Sequence, residues 1–340
     1  MSYQINLTTR DGQQISFSCE QTQTVQDGAE AAGFFLPALC KWGSCGSCLA
    51  VVVAGDYKLE GYSDALLSEA GKLKGDVLLC RTFPLSDLAI TAPYNADQIR
   101  SGAQTVRQGD IVVIEKVAER TMRLVLQLLP DDLQGMAFEF EPGQFVDLET
   151  TEPVIRRAYS LANNANWEGQ LEFFIRLQPN GQFSAYLQRA KVGERLHVHG
   201  PSGTFGVQQQ SLNPRCFVAG GTGLAPFLAI LRRMADWGED HPTTLFLGVN
   251  NEEEIFCQAE LTALAAAIPQ LTVEICVWKA SQQWQGFVGT PADALQIHLK
   301  NAPVLPDVFL CGPPQLVEAA IEIAHRAGIG DERIFCEKFA

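Results

Sequence analysis

Cys40-Lys41-Trp42-Gly43-Ser44-Cys45-Gly46-Ser47-Cys48, followed by Cys80, has the spacing C-x4-C-x2-C…C. Four thiolates in this pattern hold a [2Fe–2S] cluster. The three cysteines of the loop reach one iron pair only if the backbone bends closely around it. Gly43 and Gly46 permit that bend, because glycine accepts positive φ. Loop N–H groups can then donate to the cluster sulfurs. Structural zinc is the competing use of clustered cysteines, but it usually draws on two C-x2-C pairs, and Cys80 has no close partner cysteine. Of the remaining cysteines, Cys19 sits at a strand end. Cys216, Cys257, Cys276 and Cys336 read as small core residues.

Two further stretches suit a dinucleotide. Val218-Ala219-Gly220-Gly221-Thr222-Gly223 follows a strand-like run and opens a helical one, with Pro226 in the first turn. Glycines let the backbone approach a pyrophosphate, and the helix N-terminus attracts the anion. Cys311-Gly312-Pro313-Pro314 again ends a strand before a helix. His197 and His199 share one strand face by alternation. They read as solvent-facing residues, and His241, His298 and His325 are isolated.

The elements that must position these residues fall into three blocks. Tyr3 to Thr9 and Gln13 to Cys19 alternate in polarity around Asp11-Gly12, a hairpin signal. Thr24 caps a short helix that ends near Gly33. Leu49 to Ala54 and Asp87 to Thr91 read as strands. Ala92 to Asp97, polar and broken by proline, reads as a linker, with the chain expected to break within Ala92 to Ser101. From about Thr105 to Val207 short β-patterned runs recur, among them Ile111 to Lys116, Arg123 to Leu129, Leu171 to Leu177 and Arg195 to His199. They predict a small barrel with almost no helix. After Pro214, strands at Cys216–Ala219, Leu245–Val249, Val273–Val277 and Val308–Cys311 alternate with helices at Ala225–Trp237, Gln258–Ala267 and Gln315–Ala327. That alternation predicts a parallel α/β sheet. The fold class is therefore multidomain, α+β, β and α/β in turn, with domains at 1–97, 102–208 and 212–340.

Composition narrows the function. A net charge of −14 repels phosphate backbones, which argues against nucleic acid as a partner. The N-terminal residues lack the basic and apolar regions of a signal peptide. No apolar stretch approaches the roughly 20 residues that span a bilayer. A cytoplasmic chain is the expectation, and ten cysteines there are not a disulfide framework.

Arg157-Ala158-Tyr159-Ser160 ends a β-patterned run after the turn at Pro142-Gly143. Here the barrel resembles the flavin domain of the ferredoxin–NADP reductase family, whose signature is R-x-Y-S. The resemblance implies that Arg157 pairs with a flavin phosphate, Tyr159 lies against the isoalloxazine and Ser160 lies near N5. Phe174-Ile175-Arg176 falls where that family has its second flavin strand. Gly181-Gln182-Phe183-Ser184 matches its pyrophosphate-binding turn, which favours FAD. Cys311-Gly312-Pro313-Pro314 resembles the family's C-G-P-P motif, whose cysteine faces the nicotinamide. The tail Cys336-Glu337-Lys338-Phe339-Ala340 is similar to family tails, which end near the flavin in an acidic residue and an aromatic, here Glu337 and Phe339.

The N-terminal block resembles a plant-type ferredoxin of β-grasp fold. The order ferredoxin, flavin, nicotinamide resembles the reductase components of aromatic-ring dioxygenases, the benzoate and toluate type above all. That implies NADH as donor, FAD and the cluster as relays, and a separate oxygenase as the partner protein. Reductases of soluble di-iron monooxygenases, such as methane or phenol hydroxylase, share this order. A non-catalytic redox carrier is a further alternative. Asn250-Asn251-Glu252-Glu253-Glu254 offers carboxylates and no cation to a 2′-phosphate, so NADH is expected over NADPH. Partner docking is expected at the lip of the cluster loop, around Lys41, Trp42 and Ser44.

Overall fold

The computed structural model describes all residues except 39–42, 44–45, 63–65, 103–104, 133–134, 208–210 and 339–340, and the side chain of Arg100. The chain forms two compact units, one built on Met1–Gln104 and the other on Thr105–Pro201 and Phe205–Glu337.

In the first unit, alternation at the N-terminus gives β1 (Ser2–Thr8) and β2 (Gln14–Glu20), an antiparallel hairpin that turns through Gly12 at φ +83°. Helix α1 (Val25–Ala31) begins at a capping box in which Thr24 and Asp27 satisfy each other's backbone N–H groups. It lies against β2 so closely that a Cβ on Gly28 would sit 2.7 Å from the Cys19 sulfur. Next come β3 (Phe34–Phe35), β4 (Leu49–Ala54), β5 (Tyr57–Leu59), α2 (Glu69–Leu73), β6 (Asp76–Leu78), β7 (Thr82–Pro84), β8 (Leu88–Thr91) and β9 (Arg100–Ser101). The main sheet has the order β2-β1-β8-β4-β6, with β1 and β8 parallel.

The linker expectation needs correction. Ala92 and Tyr94 are buried, and β9 pairs with β3. The polarity and Pro93 mark the end of a ladder, and the residues beyond it still pack on the core.

The second unit holds two layers of architecture. Six antiparallel strands come first: β10 (Val106–Ala118), β11 (Thr121–Leu128), β12 (Phe145–Thr150), β13 (Arg156–Ser160), β14 (Gln170–Arg176) and β15 (Arg195–Ser202). Their order is β13-β12-β15-β10-β11-β14, and the Ala162 N–H donates to the Glu172 carbonyl at 2.9 Å to draw the two ends together. One short helix, α3 (Gln182–Leu187), interrupts a stretch expected to be nearly helix-free.

The nucleotide part follows as β16 (Arg215–Gly220), α4 (Leu224–Trp237), β17 (Thr243–Val249), α5 (Gln258–Ala267), β18 (Leu271–Val277), β19 (Phe287–Val288), α6 (Pro291–Asn301), β20 (Asp307–Gly312), α7 (Pro314–Arg326) and β21 (Ile334–Lys338). Its sheet runs β19-β18-β17-β16-β20-β21, with β16 to β20 parallel as predicted. Helices α4 and α5 pack together, as do α6 and α7. Helix α6 escaped the sequence reading, although Thr290, Pro291 and Asp293 form a capping box with proline at its start.

Candidate electron-transfer sites

Of the four expected cluster ligands, Cys40 and Cys45 lie outside the described residues, as do Lys41, Trp42 and Ser44. Cys48 and Cys80 are described and buried, with their sulfurs 3.2 Å apart. Cys48 directly precedes β4, and the Leu79 N–H bonds its carbonyl at 3.0 Å, which ties the loop to the Cys80 segment. Gly43 has φ +71°, and a Cβ there would meet the Tyr62 Cα at 2.9 Å. Only glycine lets the loop lie this close to the rest of the unit. Two adjacent thiols on a tightly held loop suit an iron–sulfur cluster. Among the described residues no set of three His, Cys, Asp or Glu side chains is arranged to hold a metal.

The second unit assembles a buried trio from distant parts of the chain. Ser160 ends β13, Cys311 is in β20 and Glu337 is in β21, and all three are buried. The Ser160 hydroxyl donates to Glu337 Oε2 at 3.1 Å, and the Cys311 thiol lies 3.7 Å from the same oxygen. Burial raises the Glu337 pKa to about 7 against the two hydrogen bonds. Burial and the Glu337 charge push the Cys311 thiol well above its ordinary value, so it stays protonated.

The turn at Gly220–Gly223 ends β16, next to Cys311 in β20. A Cβ on Gly223 would meet the Cys311 carbonyl oxygen at 2.2 Å, so these two turns pack backbone against backbone. The sheet reverses its strand order at β16 and β20, the place where open α/β sheets bind ligands. Gly312 and Pro313 belong to the same contact, since a Cβ on Gly220 would sit 2.7 Å from Pro313 Cδ. Thr222 lies in the turn between them.

Other sequence-expected residues fall nearby in different roles. Tyr159 packs on Phe183, ring centroids 5.2 Å apart, and burial keeps its phenol protonated. Ser184 Oγ accepts from the Gln178 N–H at 2.8 Å, closing the turn that carries Gly181. The Arg157 guanidinium donates to the Arg156 carbonyl at 2.7 Å. The Ile175 side chain fills the barrel core, so it offers a cofactor only backbone. Phe174 packs against Phe256 of the nucleotide part, ring centroids 5.0 Å apart and tilted by 38°. Arg176 reaches that part too, 3.9 Å from Glu254 and beside Gly221. Phe339 lies outside the described residues.

Several features were invisible in the sequence. Glu172 is gripped by Arg123 at 2.5 Å and by Arg232 of α4, which also donates to Glu260 at 2.7 Å and to the Ala162 carbonyl at 2.9 Å. Burial raises the Glu172 pKa, but the two guanidinium groups outweigh it and hold the carboxylate below its ordinary range. This network clamps β14 to α4, the helix that opens at the glycine turn. Lys279 is a second surprise. Its N–H donates to the Asn250 carbonyl at 2.8 Å, and its amine lies over the exposed Trp278 ring. A cation thus stands beside the segment that offered none.

Two expectations about isolated residues need correction. His197 and His199 do share a face, but they are partly buried and both face Glu149, at 3.9 and 3.5 Å. Cys336 is exposed, because its place in β21 turns it away from the side that buries Glu337.

The fold and these sites define an iron–sulfur flavoprotein oxidoreductase. The descriptions of three matching family models agree: "2Fe-2S iron-sulfur cluster binding domain" at residues 8–85, "Oxidoreductase FAD-binding domain" at 108–206 and "Oxidoreductase NAD-binding domain" at 217–322. The toluate 1,2-dioxygenase electron transfer component of Pseudomonas putida is 33% identical over 344 residues, covering 100% of this chain and 99% of that one. Methane monooxygenase component C of Methylosinus trichosporium is 41% identical over 280 residues, 81% of this chain and 80% of that one. A solved ferredoxin reductase in carbazole 1,9a-dioxygenase superposes with a TM-score of 0.74 at 26% identity, covering 100% of both chains. The chain belongs to the family of electron-transfer reductase components of multicomponent oxygenases, and its cofactors are a [2Fe–2S] cluster, FAD and NAD. No helix among the described residues is long and apolar enough to cross a membrane.

Proposed function

We propose that this chain is the NADH-dependent reductase of an aromatic-ring-hydroxylating dioxygenase, working in the cytoplasm and feeding electrons to a separate oxygenase protein. The observation that carries the reading is the convergence of Ser160, Cys311 and Glu337 on one carboxylate oxygen beside the Gly220–Gly223 turn. Bound there, FAD supplies the conversion of an electron pair from NADH into single electrons for the cluster. Arg157, Gly181 and Ser184 hold the flavin phosphates, with Tyr159 and Phe339 against the ring. Phe174 and Ile175 form the strand beneath it. Ser160 presents a hydroxyl to the reacting nitrogen. Glu337 keeps or releases a proton near neutral pH within reach of that hydroxyl. Cys311 shapes the nicotinamide pocket as a neutral thiol and forms no covalent bond. Gly220, Gly221, Thr222, Gly223, Gly312 and Pro313 bring backbone to the dinucleotide, and Arg176 is poised for its pyrophosphate. Cys40, Cys45, Cys48 and Cys80 ligate the cluster, and the lip at Lys41, Trp42 and Ser44 meets the partner.

Preference for NADH rests on Glu252, Glu253 and Glu254. The kcat/KM for NADH should exceed that for NADPH, and Lys279→Ala should widen the gap. A preference for NADPH that Lys279→Ala removes would overturn this part.

A second reading, the reductase of a soluble di-iron monooxygenase, is favoured by the 41% identity to methane monooxygenase component C. Supplying the protein to a toluate-type dioxygenase and to a methane monooxygenase hydroxylase separates the two. Coupled product formation is expected with the first. Turnover with the second alone would exchange the readings. A non-catalytic carrier would show no sustained NADH oxidation with ferricyanide.

A further inference from the structure

With the flavin assigned to the barrel and NADH to the nucleotide part, hydride transfer depends on how those two parts meet. Strand β14 runs along that junction. Its residues Leu171, Phe173 and Ile175 fill the barrel core. The alternate residues Glu172, Phe174 and Arg176 therefore share the opposite face, and each touches a different piece of the nucleotide part. Glu172 pairs with Arg232 of α4. Phe174 packs against Phe256, ahead of α5. Arg176 lies 3.9 Å from Glu254 and beside Gly221.

Arg232 ties this junction together. It lies about two turns into α4, the helix that follows the glycine turn directly. Its guanidinium reaches three places at once. It donates to Glu172 in β14, to both carboxylate oxygens of Glu260 in α5 at 2.7 and 3.0 Å, and to the Ala162 carbonyl at 2.9 Å. Ala162 is two residues beyond Ser160, and its own N–H donates to the Glu172 carbonyl at 2.9 Å. One side chain thus links the strand end that carries Ser160 to the helix that carries the dinucleotide turn.

Charges are a costly way to make this link. Glu172 is only 7% exposed, and taking a carboxylate and a guanidinium out of water offsets most of their attraction. Apolar side chains would join the two parts at least as firmly. What a forked guanidinium adds is direction, because its planar N–H groups fix angles as well as distances. Hydride transfer is the step that needs direction. A misplacement of about 1 Å, caused far from the reacting atoms, slows a reaction by roughly 100-fold.

We propose that Arg232 and Glu172 are a positioning pair for hydride transfer, holding the Gly220–Gly223 turn and the Ser160 end of β13 in the alignment that brings nicotinamide onto flavin. The role rests on the assignment of FAD to the barrel and of NADH to that turn. In the step itself a C–H bond of the nicotinamide breaks and an N–H bond of the flavin forms. NADH is oxidised to NAD⁺ and FAD is reduced, while Arg232 and Glu172 make and break no bond.

The test is Glu172→Gln and Arg232→Gln, singly and together, in the full-length protein loaded with FAD and cluster. Glutamine keeps the shape of Glu172 and still accepts a hydrogen bond, so that variant should fold even if the other does not. Flavin reduction at saturating NADH, followed by stopped flow, should slow by roughly 10- to 100-fold. The dissociation constants of NADH and FAD should change by less than about threefold, because the contacts to each molecule remain. The long-wavelength charge-transfer absorbance of the NADH–flavin complex, which reports ring overlap, should weaken in step. The double variant should be no slower than the slower single one, since the two residues act as a unit. With no NADH present, amide exchange in β14 and the first turns of α4 should quicken while β16 and β17 stay protected. The parent rate with an undiminished charge-transfer band would overturn the role of the pair alone. So would a KM that rises while kcat holds, and so would losses that multiply in the double variant. A purely structural ion pair predicts a lower melting temperature with parent kinetics. A parent whose flavin NADH fails to reduce would overturn the site assignment, and this role with it.

Discussion

The cluster region and the hydride-transfer region solve the same problem, placing reactive groups, by opposite means. In the first unit the proposed ligands come from one loop and one later cysteine, and Gly43 lets its part of that loop lie against Tyr62. In the second unit the trio around Glu337 spans β13, β20 and β21, and Ser160 and Glu337 are 177 residues apart. A compact motif carries its geometry with it, whereas a dispersed one depends on a barrel and a sheet being clamped together. The two should therefore fail differently when residues are removed.

The sharpest difference should come from Cys80→Ala set against Arg157→Ala. The first removes a ligand with no substitute, so cluster and electron delivery to the oxygenase should be lost while FAD stays bound. Iron, sulfide and flavin contents measure this, and stoichiometric zinc without sulfide in the parent would break the comparison. Arg157→Ala should leave the cluster intact and weaken FAD binding. A charge-assisted phosphate contact is worth about 1.5–3 kcal/mol, or roughly 10- to 150-fold in Kd. Flavin titration of the apoprotein would read it, and unchanged affinity would remove Arg157 from the phosphate site.

A smaller effect concerns Glu337. Its pKa is about 7 in the folded chain, against an ordinary 4.5. The folded state thus binds more protons than the unfolded state between those values. Stability is highest below that window and falls as pH rises through it, by on the order of 3 kcal/mol. Glu337→Gln should abolish that slope. Denaturant unfolding at pH 5 and pH 8 measures it, and equal slopes in both proteins would mean that Glu337 is not held in a buried site.

Much of this protein could be read along the chain. Period-two and helical patterns located most strands and three of the four nucleotide-part helices, because burial on one face leaves a periodic record. The cysteine loop, the glycine turn and R-x-Y-S were legible because each packs its chemistry into a few adjacent residues. Tertiary structure decided the rest. The turn from Ala92 onward looked like a tether because polarity and proline resemble a linker wherever they occur, yet Ala92 and Tyr94 are buried in the core of the first unit. The Glu172 clamp left no local trace, since Arg123, Arg232 and Glu260 lie in separate elements. Sequence fixes which groups are available, but a raised carboxylate pKa exists only after distant segments have excluded water together.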